Sequence, residues 1–394
     1  MELPDDVIIE ILSRLPFHAV GKIRALSKSH NQATYTSYFK ALAADHQPLL
    51  LGFLLQSLRT TATGRRHVLS FATPQPNSPP LELSLSFLPG QSPQVLAVAP
   101  NGLVLFQTRH RTRYQRQLYT ICKLPTKQWQ CIPIPKTRFF TLNIAMYVTP
   151  SSPLHFRIIR LFRDTTFSKR RRPVCYTVCE IFDSESWRWK RLEDLVHDNS
   201  LSFVEPFCVA VVVGGLAHWK FFDEKSILAF DFLSETWSSI AAPEAITVEQ
   251  EARERTELFK SWHTKLVEYK GKLGLIREFC EPAAARNELW VMEDYKERVW
   301  TKKWEFLESN PMAVYGSDTL MAMENNEKVK FCNVETGNYS YRQLERSHYY
   351  GSELKVFPFS SDFEPWDFYP PPPRSPNPPI VSKLLRRSPP DNSK

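Results

Sequence analysis

The sequence predicts an α+β protein of several domains, in which three short N-terminal helices precede a larger, propeller-like all-β domain of about six blades. Three observations lead to this fold class. Apolar residues of the first 40 positions recur at helical spacing, whereas those beyond residue 50 form short runs separated by turn residues. In the second region a hairpin pattern, and a pattern of strand, polar turn and aromatic residue, recur along the chain, which is typical of repeat architectures.

The composition is that of a folded protein. The chain has 394 residues, 42% hydrophobic and 23% charged, and its length suggests two or three structural units. A total of 50 Lys and Arg against 42 Asp and Glu gives a net charge of +8, which permits an acidic or nucleic-acid partner without requiring one.

Cysteine usage and hydropathy indicate the compartment. The seven cysteines include no pair of CxxC motifs, so neither a disulfide framework nor a zinc site is predicted. The N-terminus lacks the basic region of a secretory signal, and no apolar stretch reaches the length of roughly 18 residues that a transmembrane helix needs. We therefore expect a protein of the nucleus or cytoplasm.

The first helix is predicted over residues 4–15. Pro4 suits its first turn, where a backbone N–H is not needed, and Pro16 stops its continuation. The apolar residues line one side of this helix and are Val7, Ile8, Ile11, Leu12 and Leu15.

Two more short helices are predicted after the first. Val20, Ile23 and Leu26 have the spacing of a second helix, and Ser27 is placed to cap a third that runs towards Leu42. About 40 residues contain too little core to be stable alone, so the apolar face of these helices must dock on the rest of the chain or on a partner.

Short apolar runs beyond residue 50 predict strands of an antiparallel sheet architecture, because no helix-length amphipathic segments separate them. The clearest of these runs are Leu51–Leu55, Val95–Val98, Leu103–Phe106, Ile158–Phe162, Val209–Val213, Ile227–Phe232, Leu273–Ile276 and Glu288–Met292.

Two half-units repeat among these strands. The first is a hairpin with Gly at its turn, at residues 98–106, 211–219, 267–275 and 314–320. The second ends in an aromatic residue that we expect to pack between neighbouring blades, and these residues are Trp129, Trp187, Trp237, Trp300 and Tyr339. Runs near Gly52–Gln56 and Glu353–Phe359 are predicted to complete one blade together and so close the ring.

The N-terminal segment closely resembles the F-box, the motif that attaches substrate receptors to the Skp-family adaptor of SCF ubiquitin ligases. The resemblance rests on LPDDVIIEILSRLP from Leu3 to Pro16 and on IRALSKS from Ile23 to Ser29. It departs from the usual motif at His30, where Trp is common, and at Ala25-Leu26, both of which we expect to weaken adaptor binding. The resemblance places nine residues at or beside the adaptor interface, namely Leu3, Pro4, Ile8, Leu12, Leu15, Pro16, Ile23, Leu26 and Lys28.

The β region resembles the F-box-associated domain of the large plant F-box family. The motifs that carry the resemblance are Asn101-Gly102-Leu103, Gly215–Trp219, Phe230–Glu235 and Glu288–Tyr295. We therefore divide the chain into an F-box domain (1–42), an F-box-associated propeller-like domain (43–363) and a basic, Pro-rich tail (364–394) predicted to be disordered.

The sequence contains no phosphate loop, nucleophile elbow or HExxH motif, so we predict no catalytic, cofactor-binding or metal-binding residues and expect no enzyme. The resemblance implies a substrate-recognition subunit of an SCF-type ubiquitin ligase. Its F-box would dock on a Skp-family adaptor and, through it, on a cullin scaffold, while the β domain binds an unknown target protein. Two alternatives stay open: an interaction module outside any ligase with a weakened F-box, and a nucleic-acid binder that uses Arg clusters at residues 109–116 and 169–172.

Overall fold

The structure is a computed structural model that contains two α-helices, one short 3-10 helix and 25 strands among the residues it describes. The described residues are 4–15, 23, 27–34, 36, 38–39, 42, 50–61, 64–74, 81–109, 117–135, 137, 141–149, 151, 153–163, 175–197, 208–221, 226–244, 246, 262–280, 285–306, 310–315, 318–325, 328–343 and 354–361. The Pro-rich tail and the Arg clusters at 110–116 and 169–172 lie outside them.

The helices are α1 (Asp5–Arg14) and α2 (Lys28–Ala33), and the 3-10 helix is Pro100–Gly102. The strands, in chain order, are β1 (Leu50–Thr61), β2 (Gly64–Ala72), β3 (Leu81–Glu82), β4 (Gln91–Ala99), β5 (Leu103–Arg109), β6 (Gln117–Lys123), β7 (Gln128–Ile132), β8 (Asn143–Thr149), β9 (His155–Arg163), β10 (Cys175–Asp183), β11 (Arg188–Arg191), β12 (Leu195–His197), β13 (Val211–Val213), β14 (Leu216–Lys220), β15 (Ser226–Asp231), β16 (Thr236–Ala241), β17 (Trp262–Tyr269), β18 (Lys272–Cys280), β19 (Ala285–Asp294), β20 (Val299–Phe306), β21 (Pro311–Tyr315), β22 (Thr319–Asn325), β23 (Lys328–Asn333), β24 (Tyr339–Gln343) and β25 (Lys355–Ser361).

These strands form six antiparallel sheets arranged as the blades of a propeller. Blade 1 has the order β25-β1-β2-β3, and blades 2 to 6 start at β4, β8, β13, β17 and β21 and continue outward in chain order, with β12 pairing to β10 in blade 3. The innermost strands contact one another in a closed ring, β25, β4, β8, β13, β17 and β21. The predicted propeller of six blades is therefore confirmed.

Blade 1 joins the two ends of the propeller sequence. The innermost strand β25 pairs antiparallel with β1, with Phe357 opposite Leu54. The prediction that the first and last runs complete one blade is confirmed. Pairing them covers the edges that an open ring would expose.

Among the described residues, the core of the propeller consists of six apolar clusters, and each cluster draws its residues from two adjacent blades. Between blades 3 and 4, for example, Ile159 and Leu161 pack with Trp219 and Phe230, and all four side chains are buried. Burying a side chain of this size contributes about 1.5–3 kcal/mol, so the blade interfaces hold the ring together.

A repeated turn connects the third and fourth strands of the blades. In blade 3 one carboxylate oxygen of Asp183 accepts hydrogen bonds from the amides of Glu185 and Ser186, at 2.8 and 3.0 Å. Asp231, Asp294 and Asn333 make the corresponding bonds in blades 4 to 6. The residue four positions later is left-handed in each case, with φ of 53° at Trp187, 55° at Glu235, 57° at Arg298 and 71° at Gly337. In these four turns an Asp or Asn side chain accepts hydrogen bonds from the backbone of its own turn and so stabilises it. Only one of the four has Gly at the left-handed position.

The aromatic repeat is confirmed in part. The aromatic lies six residues after the start of each turn, so by position Trp189 is the member in blade 3. Trp187 nevertheless packs between blades as predicted, since it is buried in the cluster that blades 2 and 3 share. The indoles of Trp189 and Trp300 donate hydrogen bonds to the preceding blade, at the carbonyls of Pro133 (2.6 Å) and Ala241 (3.0 Å). Trp237 packs against the cluster between blades 3 and 4. Trp129 and Tyr339 are exposed, so the expected packing between blades is wrong for these two residues.

The N-terminal helices agree in part with the expectation. Ser27 caps α2 as predicted, because its hydroxyl accepts from the amide of His30 at 3.4 Å. The predicted run towards Leu42 is interrupted, since α2 ends at Ala33 and the Thr36 hydroxyl both donates to the Ala33 carbonyl and accepts from the Phe39 amide.

The predicted second helix lies outside the described residues apart from Ile23, so the expectation of three helices stays a prediction. In the described part of the chain no helix combines the length and apolar character needed to cross a membrane. None of the five cysteines with described side chains forms a disulfide, and they are Cys122, Cys131, Cys179, Cys208 and Cys332.

Candidate interaction surfaces

Helix α1 has apolar residues on two adjacent stripes with different environments. Ile8, Ile9 and Leu15 pack against a small buried cluster of Leu12 and Phe39. Val7 and Ile11 lie one turn apart, and their exposed fractions are 37% and 46%, against 5% for Leu12. Exposed apolar residues at this spacing offer a partner a contact that leaves the internal cluster intact.

The nine predicted adaptor-binding residues fall into distinct environments. Pro4 and Lys28 are exposed, and Ile8, Leu15 and Ile23 are half-buried. Leu12 is buried within the helical segment itself. Leu3, Pro16 and Leu26 lie outside the described residues.

The sequence alone does not distinguish the exposed stripe of Val7 and Ile11 from the stripe that packs internally. Both belong to a single broad apolar side, and only the position of Phe39 decides which stripe is covered. His30, where the usual motif has Trp, is half-buried.

Among the aromatic and basic residues near predicted loops of the β domain, the sequence offers Trp219 as a candidate for contact with a target protein. It lies instead in the core between blades 3 and 4, fully buried, so it cannot contact a partner directly. Two other candidates, Tyr114 and Arg171, lie outside the described residues. Among the propeller residues that the structure describes, the most exposed large apolar side chains are Leu233, Tyr339, Val299 and Ile134.

His218, the histidine of the Gly-Leu-Ala-His-Trp motif, connects two blades. Its Nδ1 donates to the Val211 carbonyl at 3.0 Å, and its Nε2 accepts from the Tyr295 hydroxyl at 2.6 Å. Burial lowers the pKa of His218 to about 4, against the opposing effect of the Val211 hydrogen bond. Burial also raises the pKa of Tyr295 to about 12. The pair therefore stays neutral near pH 7 and holds blade 4 to the turn of blade 5.

One group of described residues has side-chain spacing that could hold a metal ion, namely His155, Asp183 and Glu185. One oxygen of Asp183 already accepts from the Arg157 guanidinium at 3.0 Å, and its other oxygen accepts the turn amides. Burial opposes ionisation of Asp183, but the Ser186 amide and the charges of His155 and Arg157 outweigh it and lower its pKa. This geometry accounts for the group as a charged network that stabilises the turn.

A cavity of about 920 Å³ lies on the propeller axis, and all six innermost strands contribute to its wall. Its lining is mainly apolar, with residues such as Leu96, Val212 and Met312. The charged residues of the lining are Lys220, Lys265, Glu268 and Lys355. The volume is in the range of small-molecule sites.

Comparison with known proteins gives two family matches. The model of the F-box associated beta propeller domain matches residues 57–334, and that of the F-box domain matches residues 1–40. Both resemblances found in the sequence are thereby confirmed.

Curated relatives come from Arabidopsis thaliana. F-box protein At5g49610 is 25% identical over 309 residues, which covers 76% of this chain and 77% of the relative. F-box protein At5g41720 is 29% identical over 159 residues, covering 40% of this chain and 84% of the relative. Among solved structures, TolB from Acinetobacter baumannii aligns with 84% of this chain and 72% of its own at 15% identity and a TM-score of 0.44.

Proposed function

Because this chain belongs to the family that joins an F-box to an F-box associated β-propeller domain, we propose that it is the substrate-recognition subunit of an SCF-type ubiquitin ligase. The observation that carries the proposal is the presence of both family domains in one chain. The F-box docks on a Skp-family adaptor and, through it, on a cullin scaffold. The propeller binds a target protein.

Adaptor docking is supported by the exposed stripe of Val7 and Ile11 on α1. Apolar side chains at this spacing fit an apolar groove, and the exposed Pro4 and Lys28 are further candidates for contact with the adaptor. In this proposal Leu12 acts from inside, by holding α1 against Phe39.

The mechanism is an increase in effective concentration. A target held by the propeller has its lysines near the conjugating enzyme that the scaffold carries, so the transfer step becomes nearly intramolecular. The chain itself needs no catalytic residue, and we propose that it is not an enzyme.

Assembly requires that the chain and the adaptor are in the same compartment. We therefore propose a nuclear or cytoplasmic location, which fractionation of a tagged full chain would test.

The test is co-purification of the full chain with a Skp-family adaptor. The informative variant is Val7→Asp with Ile11→Asp, because both side chains are exposed in the chain alone and their change should leave folding intact. A charge buried without a partner in an apolar interface costs several kcal/mol, so we expect at least a roughly hundredfold loss of affinity.

The matched control is Leu233→Asp with Val299→Asp, the same chemical change at two exposed positions of the propeller. It should bind the adaptor as the unmodified chain does. Absence of binding by the unmodified chain, or equal binding by both double variants, would contradict the proposed docking. In the first case the chain would be an interaction module outside the ligase.

A further inference from the structure

The axial cavity has a positive end. Lys265 is in the middle of the innermost strand β17, but its Nζ reaches Asn310 and Pro311 at the beginning of β21. Lys355 is the first residue of the innermost strand β25. Lys220 ends β14, which runs antiparallel to its innermost neighbour, so it reaches the same end, and its Nζ donates to the Thr264 carbonyl at 3.1 Å. Glu268, the one acidic residue of the described lining, lies near the other end of β17.

The lysines of this end differ in their partners. Lys265 Nζ donates to the Asn310 side chain at 3.0 Å and to the Pro311 carbonyl at 2.7 Å. The side-chain ammonium of Lys355 makes no hydrogen bond or ion pair with any residue that the structure describes. Its side chain is half-buried and lines the cavity beside Cys208.

The Lys355 ammonium is partly shielded from solvent, and no carboxylate among the described residues pairs with it. Burial lowers the pKa of Lys355 against a weaker opposing effect of Cys208. A buried or half-buried charge is stabilised by an anion that pairs with it, since the low dielectric strengthens the attraction. The remaining lining, including Leu96, Val212 and Met312, offers contact area to an apolar body but few polar groups.

From these features we propose that the axial cavity is a binding site for a small amphipathic anion, such as a carboxylate or sulfonate with an apolar body. The acidic group pairs with Lys355 at the positive end, and the apolar body lies along the innermost strands. A cavity of about 920 Å³ that is mostly apolar, with a few polar groups at one end, has the usual character of a small-molecule site. The inference does not depend on adaptor binding.

The test uses two fluorescent probes that differ by one group. Anilinonaphthalene sulfonate carries a sulfonate, and N-phenylnaphthylamine is the same ring system without it. Titration of the full chain should show saturable binding of the sulfonate at one site, with an affinity about tenfold or more above that of the uncharged probe, as expected for a charge-assisted pair. Equal affinities for the two probes would overturn the proposal.

Variants locate the site. Lys355→Met should lower the affinity for the sulfonate to that for the uncharged probe, Lys355→Arg should keep most of it, and Val212→Trp should block both probes by filling the cavity. Lys296→Met, at an exposed turn of blade 5, is the matched control and should bind as the unmodified chain does. Thermal unfolding of each variant shows whether that variant is folded. Probe binding to unfolded chain can then be told from binding at the cavity.

Unchanged sulfonate binding in a folded Lys355→Met chain would show that the anion binds elsewhere and would overturn the assignment. Should Lys355→Met fail to fold, the two-probe comparison and Val212→Trp still decide the question. Undiminished binding in the Val212→Trp chain would exclude the axial cavity.

Discussion

His218 illustrates how a single buried residue connects neighbouring blades. The imidazole lies between the Val211 carbonyl and the Tyr295 hydroxyl and is fully shielded from solvent. A protonated imidazole would have to donate at both nitrogens and would carry an uncompensated charge in the core. The folded protein therefore keeps His218 neutral to a pH well below the ordinary pKa of histidine.

This environment predicts a pH-dependent stability. Between the ordinary pKa of about 6.5 and the folded-state pKa of about 4, the unfolded chain binds a proton at His218 that the folded chain does not. The contribution of neutral His218 to the free energy of unfolding is fully present above about pH 6.5. It decreases by about 3 kcal/mol in total as the pH falls through this window.

The measurement is denaturant unfolding of the unmodified chain and of His218→Gln from about pH 7 to 4. Other groups titrate equally in both chains, so the difference between the two curves isolates the histidine. The unmodified chain should lose more stability with falling pH than the variant. Parallel curves would mean that His218 is protonated in the folded protein.

At the scale of elements, Gly102 shows why a turn between two strands of blade 2 cannot carry a side chain. Its φ is +76°, and a Cβ built on it would lie 2.0 Å from the Ser361 hydroxyl of β25. Gly271, in the corresponding turn of blade 5, has φ +73° but no atom within 4 Å of such a Cβ. The two glycines share a backbone conformation and differ in their neighbours.

Substitution of each by Ala separates the two effects. Gly271→Ala should lower the free energy of unfolding by about 1 kcal/mol, the cost of a left-handed backbone for a residue with a Cβ. Gly102→Ala should cost about 1–3 kcal/mol more, because the closing strand must also shift. Denaturant unfolding of both variants measures the difference, and equal losses would show that the contact with Ser361 is unimportant.

The sequence predicts the blade elements well, because hairpins and apolar alternation depend on local chemistry. It predicts the hairpins around Gly102, Gly214-Gly215 and Gly271, all of which the structure confirms. Sequence patterns do not predict features that depend on contacts between residues far apart in the chain. Trp187 and Trp189 both follow the polar turn of blade 3, and Trp189 is identified as the repeat member only once the hydrogen bonds of Asp183 fix where that turn begins.

The candidate site was less predictable than the fold. Whether Leu12 or Ile11 faces a partner depends on where Phe39 packs, which helical periodicity does not contain. Trp219 looks like a loop aromatic in the sequence but is buried by the neighbouring blade. The positive end of the axial cavity joins Lys220, Lys265 and Lys355 from three blades, and no local pattern relates these positions.

At the scale of the whole molecule, the propeller is closed by one strand from the end of its sequence. Strand β25 pairs with β1 and contributes Val356 to the cluster with blade 6 and Phe357 to the cluster with blade 2. Two blade interfaces and one sheet therefore depend on a segment of seven residues. Its loss would expose strand edges and open two apolar clusters at once.

Truncation tests this dependence. A chain that ends at Phe363 keeps β25 and should unfold at the same temperature as the full chain. A chain that ends at Glu353 lacks β25 and should lose cooperative unfolding or aggregate, since exposed edges and apolar surface remain. Calorimetry of both chains provides the comparison, and a normal transition in the shorter one would show that the ring does not require this closure.

The central claim is that this chain connects a target-binding propeller to a ligase scaffold, and its assembly state tests that most directly. The full chain, of 45.8 kDa, is mixed with a Skp-family adaptor and a cullin N-terminal fragment, and the complex is analysed by size exclusion with light scattering. The account predicts one peak whose mass is the sum of one copy of each. A chain that elutes alone, while a relative with an F-box assembles under the same conditions, would contradict it.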